Sequence, residues 1–242
     1  MEEALSNGYY PQLALYYLQS LRLFNLTGLV TYEDGKSISE EILMDYSGDF
    51  DNNSELFEEY RAFIAASPTI GAEQKERQLR GIWQRQLKLR TQDLELVWKG
   101  YDAWETKGNL KGNFKKIWEE NKRTWGVYRE VWGEVIGIDD LVDQGGKLEE
   151  NLGRAKAVLA RVKEGRGEGG KLSVMFCQSV YEKVCGWYPR KMELWGEYLE
   201  FLDSQTNSSR VLNVYRRLAR NFRSFELSLK IIKSADFYST VS

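Results

Sequence analysis

Residues 93–105 read Asp-Leu-Glu-Leu-Val-Trp-Lys-Gly-Tyr-Asp-Ala-Trp-Glu, which places aromatic rings at Trp98, Tyr101 and Trp104. A spacing of three residues keeps these rings on one slowly turning face of a helix. Two other segments share this spacing, and their rings are Phe57, Tyr60, Phe63, Trp195, Tyr198 and Phe201. We call a helix of this type an A helix, and its aromatic face predicts a buried packing surface.

A second pattern alternates with the A helices, and we call it the B helix. It is clearest in Arg-Gly-Ile-Trp-Gln-Arg-Gln-Leu at residues 80–87 and in Leu-Asn-Val-Tyr-Arg-Arg-Leu at residues 212–218. The aromatic residues of its four copies are Trp83, Trp118, Tyr181 and Tyr215. Trp83 and Trp118 lie 35 residues apart, and Tyr181 and Tyr215 lie 34 residues apart. A nearly constant period of this length indicates a repeat built from one pair of helices.

A single helix pair has an apolar face that it cannot bury alone, whereas stacked pairs bury a continuous core. The sequence therefore predicts an all-α fold, an α-solenoid of antiparallel helix pairs stacked into a curved rod. The aromatic residues of the repeat are expected to form its core, and they are Phe57, Tyr60, Trp83, Trp98, Tyr101, Trp104, Trp118, Tyr181, Trp195, Tyr198 and Tyr215.

Glycine-rich stretches interrupt the repeat at residues 145–146 and 165–170. Glycine clusters between periodic segments mark loops and helix ends. The predicted organisation is N-terminal repeats over 1–139, a boundary over 140–147, and the start of C-terminal repeats over 148–242 with a flexible loop over 163–171. Within the first part, Ser54 follows a polar turn and is the expected N-cap of the helix that carries Phe57.

The composition excludes most enzyme classes. The 242 residues include no histidine, which removes Ser-His-Asp and Cys-His catalysis and zinc sites that need imidazole. Cys177 and Cys185 are too few for a disulfide framework or a Cys-only zinc site, and they favour a reducing compartment. Neither a GxxxxGK[ST] motif nor a GxGxxG motif that opens a helix is present. We therefore expect no enzymatic activity, no cofactor and no metal. We also expect no membrane span, because no run approaches about 18 consecutive apolar residues.

The net charge of −2 conceals a strong asymmetry along the chain. Residues 1–73 carry thirteen acidic and three basic side chains, whereas residues 205–242 carry two acidic and seven basic ones. Two basic clusters are candidate surfaces for RNA or an acidic protein, because a row of fixed cations can neutralise phosphates or carboxylates. They comprise Arg210, Arg216, Arg217, Arg220, Arg223 and Lys230, and Arg77, Arg80, Arg85, Lys88 and Arg90. Two other interpretations stay open, namely solvated faces and ion pairs between neighbouring repeats.

The A pattern, Trp-x-x-Tyr-x-x-aromatic-Glu, and the B pattern, Arg-x-x-Tyr-x-Arg-x-Leu, together resemble the HAT (half-a-tetratricopeptide) repeat of RNA-processing proteins. Within that family the likeness is greatest to the HAT-repeat scaffold subunit of cleavage stimulation factor. The segments that carry it are residues 56–85, 93–105 and 174–195. The chain departs from the pattern over residues 133–171, which lack the aromatic triplet, and in its first repeat, where Tyr17 has no Trp partner.

The resemblance implies a non-enzymatic scaffold in messenger-RNA 3′-end cleavage and polyadenylation, located in the nucleus and bound to other 3′-end processing proteins. It implies that any contact with RNA is mainly indirect. Alternatives are a scaffold of splicing or ribosomal-RNA processing, and a helical repeat protein that binds RNA directly. Relatives continue beyond this length through a dimerising part, so the chain resembles an N-terminal fragment or a shortened relative, and homodimer formation stays open.

Overall fold

A computed structural model describes residues 8–143, 148–165 and 172–204, together with residues 211, 214, 215, 217 and 218. Within these ranges the regular structure is helical throughout and contains no strand. The helices are α1 Pro11–Leu26, α2 Tyr32–Tyr46, α3 Asn53–Ala66, α4 Ala72–Gln86, α5 Leu94–Trp104, α6 Gly108–Asp143, α7 Leu148–Glu164, α8 Val174–Trp187 and α9 Met192–Asp203. The predicted fold class, an all-α solenoid of helix pairs, is confirmed.

Consecutive helices pack against one another along the chain. In the N-terminal part α1 packs on α2 and α3, and α3 packs on α4; further along, α6 packs on α5, α7 and α8, and α8 packs on α9. Short turns join most neighbours, which forces adjacent helices to run antiparallel and to share an apolar face. This nearest-neighbour packing is the arrangement of a solenoid.

Three groups of apolar residues fill the described interior. The N-terminal core is formed by α1–α4 and includes Leu18, Leu43, Phe57 and Tyr60. A small bridging cluster of Leu87, Val97 and Tyr101, with half-buried rings around it, joins α4, α5 and the start of α6. The C-terminal core is formed by the second half of α6, by α7–α9 and by the described residues near 214.

Helix α6 differs from the separate helix pairs that the repeat predicts. It runs without a break for 36 residues, which corresponds to about 54 Å at 1.5 Å per residue. Its buried residues Tyr128, Val131, Val135 and Ile138 continue one apolar stripe at helical spacing. No proline interrupts the helix. An exposed glycine lowers helix stability by only about 1 kcal/mol, and burial of the apolar stripe outweighs this loss.

The predicted boundary at residues 140–147 stays a prediction. Residues 144–147 and 166–171 lie outside the described part of the chain, and the second range includes most of the predicted flexible loop. On either side of the boundary, Ile138 of α6 and Ala155 of α7 belong to the same C-terminal core.

The expected N-cap of α3 is wrong by two residues. Helix α3 begins at Asn53, so Ser54 lies inside its first turn, where its hydroxyl is 2.8 Å from the hydroxyl of Thr91. Asp49 satisfies the backbone before the first turn instead. Its Oδ1 accepts hydrogen bonds from the backbone N–H groups of Asp51 and Asn52 at 3.2 and 2.9 Å. A carboxylate here also suits the positive end of the helix dipole.

The loop between α2 and α3 reaches the C-terminal core. Phe50 is buried with its ring 6.2 Å from both Trp125 of α6 and Phe176 of α8. Gly48 lies so close to the backbone of Met175 that a Cβ atom at this position would overlap with it. The loop between α2 and α3 therefore contacts the later helices α6 and α8 directly.

Candidate functional site

The predicted basic cluster on and after α4 does not form a row of free cations. Arg80 donates from Nε to Oε2 of Glu105 at 2.7 Å and from Nη2 to Glu76 at 2.6 Å. Arg85 donates to Glu40 at 2.5 Å. Among the described residues, the other three predicted cations form no ion pair with another helix. Arg77 pairs with the exposed Glu73 one turn away on the same helix, and Lys88 is exposed. Arg90 donates to the hydroxyl of Thr124 at 3.3 Å.

Glu105, the last residue of the A pattern, is almost fully buried and joins two repeats through Arg80. Its Oε1 also accepts the backbone N–H of Lys107 at 3.0 Å. The hydrogen bond from Arg80 holds the pKa of the Glu105 carboxyl below its usual range, even though burial acts in the opposite direction. The same bond raises the pKa of Arg80. The pair is therefore ionised over the whole physiological range.

A three-residue polar contact, which we call the Tyr–Glu–Arg clasp, occurs twice among the described residues. In the N-terminal clasp, Tyr60 of α3 donates its hydroxyl to Oε1 of Glu40 at 2.7 Å, and Arg85 of α4 donates to Oε2 of the same carboxylate. Glu40 lies on α2, so the clasp links three consecutive helices. Burial and the bond to Glu40 raise the pKa of the Tyr60 hydroxyl.

The C-terminal clasp repeats the same chemistry. Tyr198 of α9 donates to Oε1 of Glu182 at 2.5 Å, and Arg217 donates to both oxygens of Glu182 at 2.7 and 2.6 Å. Burial opposes the charge of Arg217, but the carboxylate outweighs it and raises the pKa of the guanidinium. Arg217, predicted as part of a partner surface, therefore forms a bidentate ion pair inside the solenoid.

Sequence reasoning allowed for such ion pairs without identifying their acids. Arg85 and Arg217 each lie two residues after the aromatic residue of a B helix, Trp83 and Tyr215. Glu182 likewise follows directly on the B-helix residue Tyr181. Alignment of the B copies by their aromatic residues places Arg85 and Arg217 at the same position and Glu182 one position earlier. Arg210, Arg216, Arg220 and Arg223 lie outside the described residues.

The aromatic residues of the repeat divide into two groups by burial. Phe57, Tyr60, Tyr101, Tyr181, Trp195 and Tyr198 are buried. The half-buried ones are Trp83, Trp98, Trp104, Trp118 and Tyr215. Trp98 stacks on Trp118 with ring centres 5.3 Å apart. The guanidinium of Arg61 covers Trp83 at 3.6 Å, and burial lowers the pKa of Arg61 to about 10. Rings covered in this way are poor stacking platforms for nucleic-acid bases.

A cavity of about 470 Å³ lies between the N-terminal segment 8–11 and α8. Its polar groups are already paired with one another: Asp139 accepts from Trp187 at 2.8 Å and lies 3.4 Å from Lys183, and the buried Glu182–Arg217 pair forms another part of the wall. Such a lining satisfies its own charges and offers little to a small-molecule ligand.

Two further results concern sites that other protein classes need. Within the described ranges, no group of three or more Cys, Asp or Glu side chains is arranged to hold a metal ion. None of the helices described here is both long enough and apolar enough to cross a bilayer.

The fold and the repeated inter-helix contacts define the class of protein, an α-solenoid of HAT-type helix pairs. The family model described as Suppressor of forked protein (Suf) matches residues 4–144, more than half of the chain. The chain therefore belongs to the Suf family, a HAT-repeat family related to the large subunit of cleavage stimulation factor. A comparison with curated proteins finds no significant match. Family membership indicates a scaffold for protein–protein interactions in RNA processing.

Proposed function

We propose that this chain is a non-enzymatic scaffold of messenger-RNA 3′-end cleavage and polyadenylation, and that it acts in the nucleus. The observation that carries the proposal is the match to the Suf family over residues 4–144, since that family is related to a subunit of cleavage stimulation factor. The A and B patterns resemble the same subunit, and the segment 174–195 extends that resemblance beyond the residues that the family model matches.

The chemistry of the described surface also favours a scaffold. The acidic and basic groups that come together between helices form closed ion pairs such as Arg80–Glu105 and Arg217–Glu182. Closed pairs stabilise the stacking of repeats and leave extended helix faces for contact with partners. Other 3′-end processing proteins are the proposed partners.

Affinity purification of the tagged full chain from nuclear extract tests this function. We expect polyadenylation and cleavage factors among the recovered proteins, identified by mass spectrometry and compared with an untagged extract. Recovery of spliceosomal proteins or ribosomal-RNA processing factors in their place would support the alternative scaffold roles instead.

The basic residues near the C-terminal end of the sequence provide a second arm of the experiment. The variant Arg216→Glu, Arg220→Glu, Arg223→Glu removes the proposed partner surface. The control variant Lys99→Glu, Lys115→Glu, Lys116→Glu makes the same change of charge at three exposed residues of α5 and α6. We expect the first variant to lose an acidic protein partner while its thermal stability stays near that of the wild type. Salt-dependent binding of a uracil-rich RNA that the same variant abolishes would favour direct RNA recognition.

A further inference from the structure

Arg61 of α3 is half-buried and has no carboxylate within ion-pair distance among the described residues. Most half-buried arginines in the described ranges are neutralised by a glutamate, and these are Arg22, Arg80, Arg85, Arg161 and Arg217. Arg90 is half-buried as well, but its Nε donates to the hydroxyl of Thr124. Arg61 is therefore exceptional, because neither a carboxylate nor a hydroxyl within this part of the fold pairs with its charge.

One edge of the Arg61 guanidinium is open. Its Nη1 donates to Oε1 of the buried Gln86 at 2.5 Å. Within the described ranges no hydrogen bond uses Nε or Nη2 of Arg61, and neither atom is completely enclosed by protein. The unused Nε of Arg22, by contrast, is completely buried. Nε and Nη2 together form a two-donor edge with which a guanidinium binds both oxygens of one carboxylate.

Neighbouring groups hold the guanidinium in a fixed orientation. It lies over the ring of Trp83 on α4, with 3.6 Å between Cζ and the ring centre. The same ring packs against α5 at Gly100, where an added Cβ atom would approach it to 2.8 Å. Gln86 fixes one end of the guanidinium through Nη1. An arginine that is already ordered in this way loses little conformational entropy when its open edge binds a ligand.

The partial burial of Arg61 strengthens its attraction for an anion. Burial lowers the pKa of Arg61 to about 10, which shows that its charged form has lost part of its hydration. Glu58, one turn earlier on the same helix, opposes this shift but lies outside ion-pair distance. A hydrogen-bonded charge pair at a partly dehydrated position is stronger than the same pair in free solvent.

The charges around Arg61 favour a single carboxylate over a polyanion. Helix α3 contains three glutamates, and Arg61 is its only cation. Glu58 is exposed beside it. A row of phosphates, as in RNA, would bring further negative charges against these acids. One acidic side chain flanked by neutral or basic residues would not meet this repulsion, so the surroundings favour a protein segment.

We propose that Arg61 is the docking point for one acidic side chain of a protein partner, whose carboxylate binds Nε and Nη2 while Trp83 and Gln86 hold the guanidinium in place. Residues of the partner next to this acid are neutral or basic, because Glu58 lies beside the contact. Charge pairs of this kind set the choice of partner as well as affinity. The inference rests on the proposed scaffold function and specifies the chemistry of one partner contact.

A library of random peptides displayed on phage supplies the probe for this contact. The library is selected on the full chain, and peptides that also bind the Arg61→Met variant are removed. We expect the remaining peptides to share one aspartate or glutamate. In a synthetic copy of the strongest peptide, replacement of that acid by its amide should weaken binding about tenfold or more, since hydrogen bonds to charged groups are strong.

A double-mutant cycle measured by fluorescence anisotropy then connects that acid with Arg61. Arg61→Met should weaken binding of the acidic peptide as much as the amide replacement does. The two changes together should weaken it no more than either change alone, because both remove the same contact. If the two losses multiply instead, the peptide acid binds elsewhere and the proposal is wrong. A selection that leaves no Arg61-dependent peptide, or leaves peptides without a shared acid, also overturns it.

Further variants separate the contact from general effects of charge and folding. Arg129→Met is the matched control, because Arg129 is exposed and also lies over a tryptophan, 5.3 Å from the ring centre of Trp125, and it should bind like the wild type. Arg61→Lys keeps the charge without the two-donor edge and should bind more weakly than the wild type. Thermal melts verify that each variant is folded. Uracil-rich RNA that competes with the peptide, and that Arg61→Met no longer binds, would indicate phosphate recognition and overturn the proposal.

Photo-crosslinking in cells separates failure of this inference from failure of the proposed function. Benzoylphenylalanine replaces the exposed Ala65, one turn after Arg61 on α3, and the exposed Ala157 of α7 is the control position. Position 65 should crosslink to an acidic residue's neighbourhood in another protein, and Arg61→Met should abolish that product. If the product is missing while purification still recovers 3′-end processing factors, the docking inference fails and the proposed function stands. If an Arg61-dependent product forms but no such factors are recovered, the docking point stands and the proposed function is wrong.

Discussion

The two Tyr–Glu–Arg clasps contain the same three groups but differ in their access to water. They also differ in that Arg217 binds both oxygens of Glu182, whereas Arg85 binds one oxygen of Glu40. In the N-terminal clasp the side chains of Arg85 and Glu40 are 34% and 40% exposed, whereas those of Arg217 and Glu182 in the C-terminal clasp are 11% and 8% exposed. Water screens the first pair and cannot screen the second. The energetic role of this repeated contact is therefore set by its depth in the stack rather than by its chemistry.

The largest expected effect comes from removal of one partner of the buried clasp. Arg217→Met leaves the Glu182 carboxylate buried without its counter-ion, and we expect a loss of about 3–5 kcal/mol in the free energy of unfolding. Urea denaturation followed by circular dichroism measures this change. The double variant Arg217→Met, Glu182→Leu is the control and should recover much of the loss. A single variant as stable as the wild type would show that the clasp is open to solvent.

Removal of the tyrosine hydroxyl from each clasp should cause a smaller loss of stability, and the two losses can be compared. Tyr198→Phe removes a hydrogen bond to a buried carboxylate, and a loss of about 1.5–3 kcal/mol is expected because the acceptor is charged. Tyr60→Phe removes the corresponding bond to the half-exposed Glu40, which water can replace, so the loss should be smaller. Thermal melts of the two single variants, compared under identical buffer conditions, test the ranking. Equal losses would contradict the role assigned to depth.

The pH dependence of stability tests a third ion pair, Arg80 with Glu105. The pKa of Glu105 is lowered in the folded protein, so this residue stabilises the fold above the pKa of an unfolded glutamate, about 4.3. That contribution is lost as the pH falls below this value and through the lowered pKa of the folded state. Glu105→Gln should show a shallower decline of stability with acid than the wild type. Identical acid profiles would show that the pair does not contribute to acid sensitivity.

The smallest effect is expected at the exposed clasp. Arg85→Met should change the free energy of unfolding by about 0–1 kcal/mol, because solvent screens both partners and Glu40 can be hydrated once its partner is gone. The same denaturation experiment used for Arg217→Met measures it. A loss as large as that of Arg217→Met would abolish the distinction between the clasps.

The site residues divide between what local patterns reveal and what they do not. The sequence located Arg85 and Arg217 through their distance from Trp83 and Tyr215, but it proposed them for a partner surface. Their acids lie 45 and 35 residues earlier in the chain. The repeat period near 35 residues connects Glu182 with Arg217 but does not connect Glu40 with Arg85, and neither pairing follows from periodicity within one helix.

The helical class and the stacking of helix pairs follow from the amino-acid sequence alone. Both follow from spacings of three and four residues within single helices and from a period near 35 residues, which are local properties of the chain. Three other features appear only in the packed fold. They are the continuous α6 helix past its exposed glycines, the burial of Phe50 in the C-terminal core, and the pairing of Arg217 with Glu182. Each of these depends on which distant surfaces meet and how far they exclude water, and burial of that kind exists only once the helices are packed.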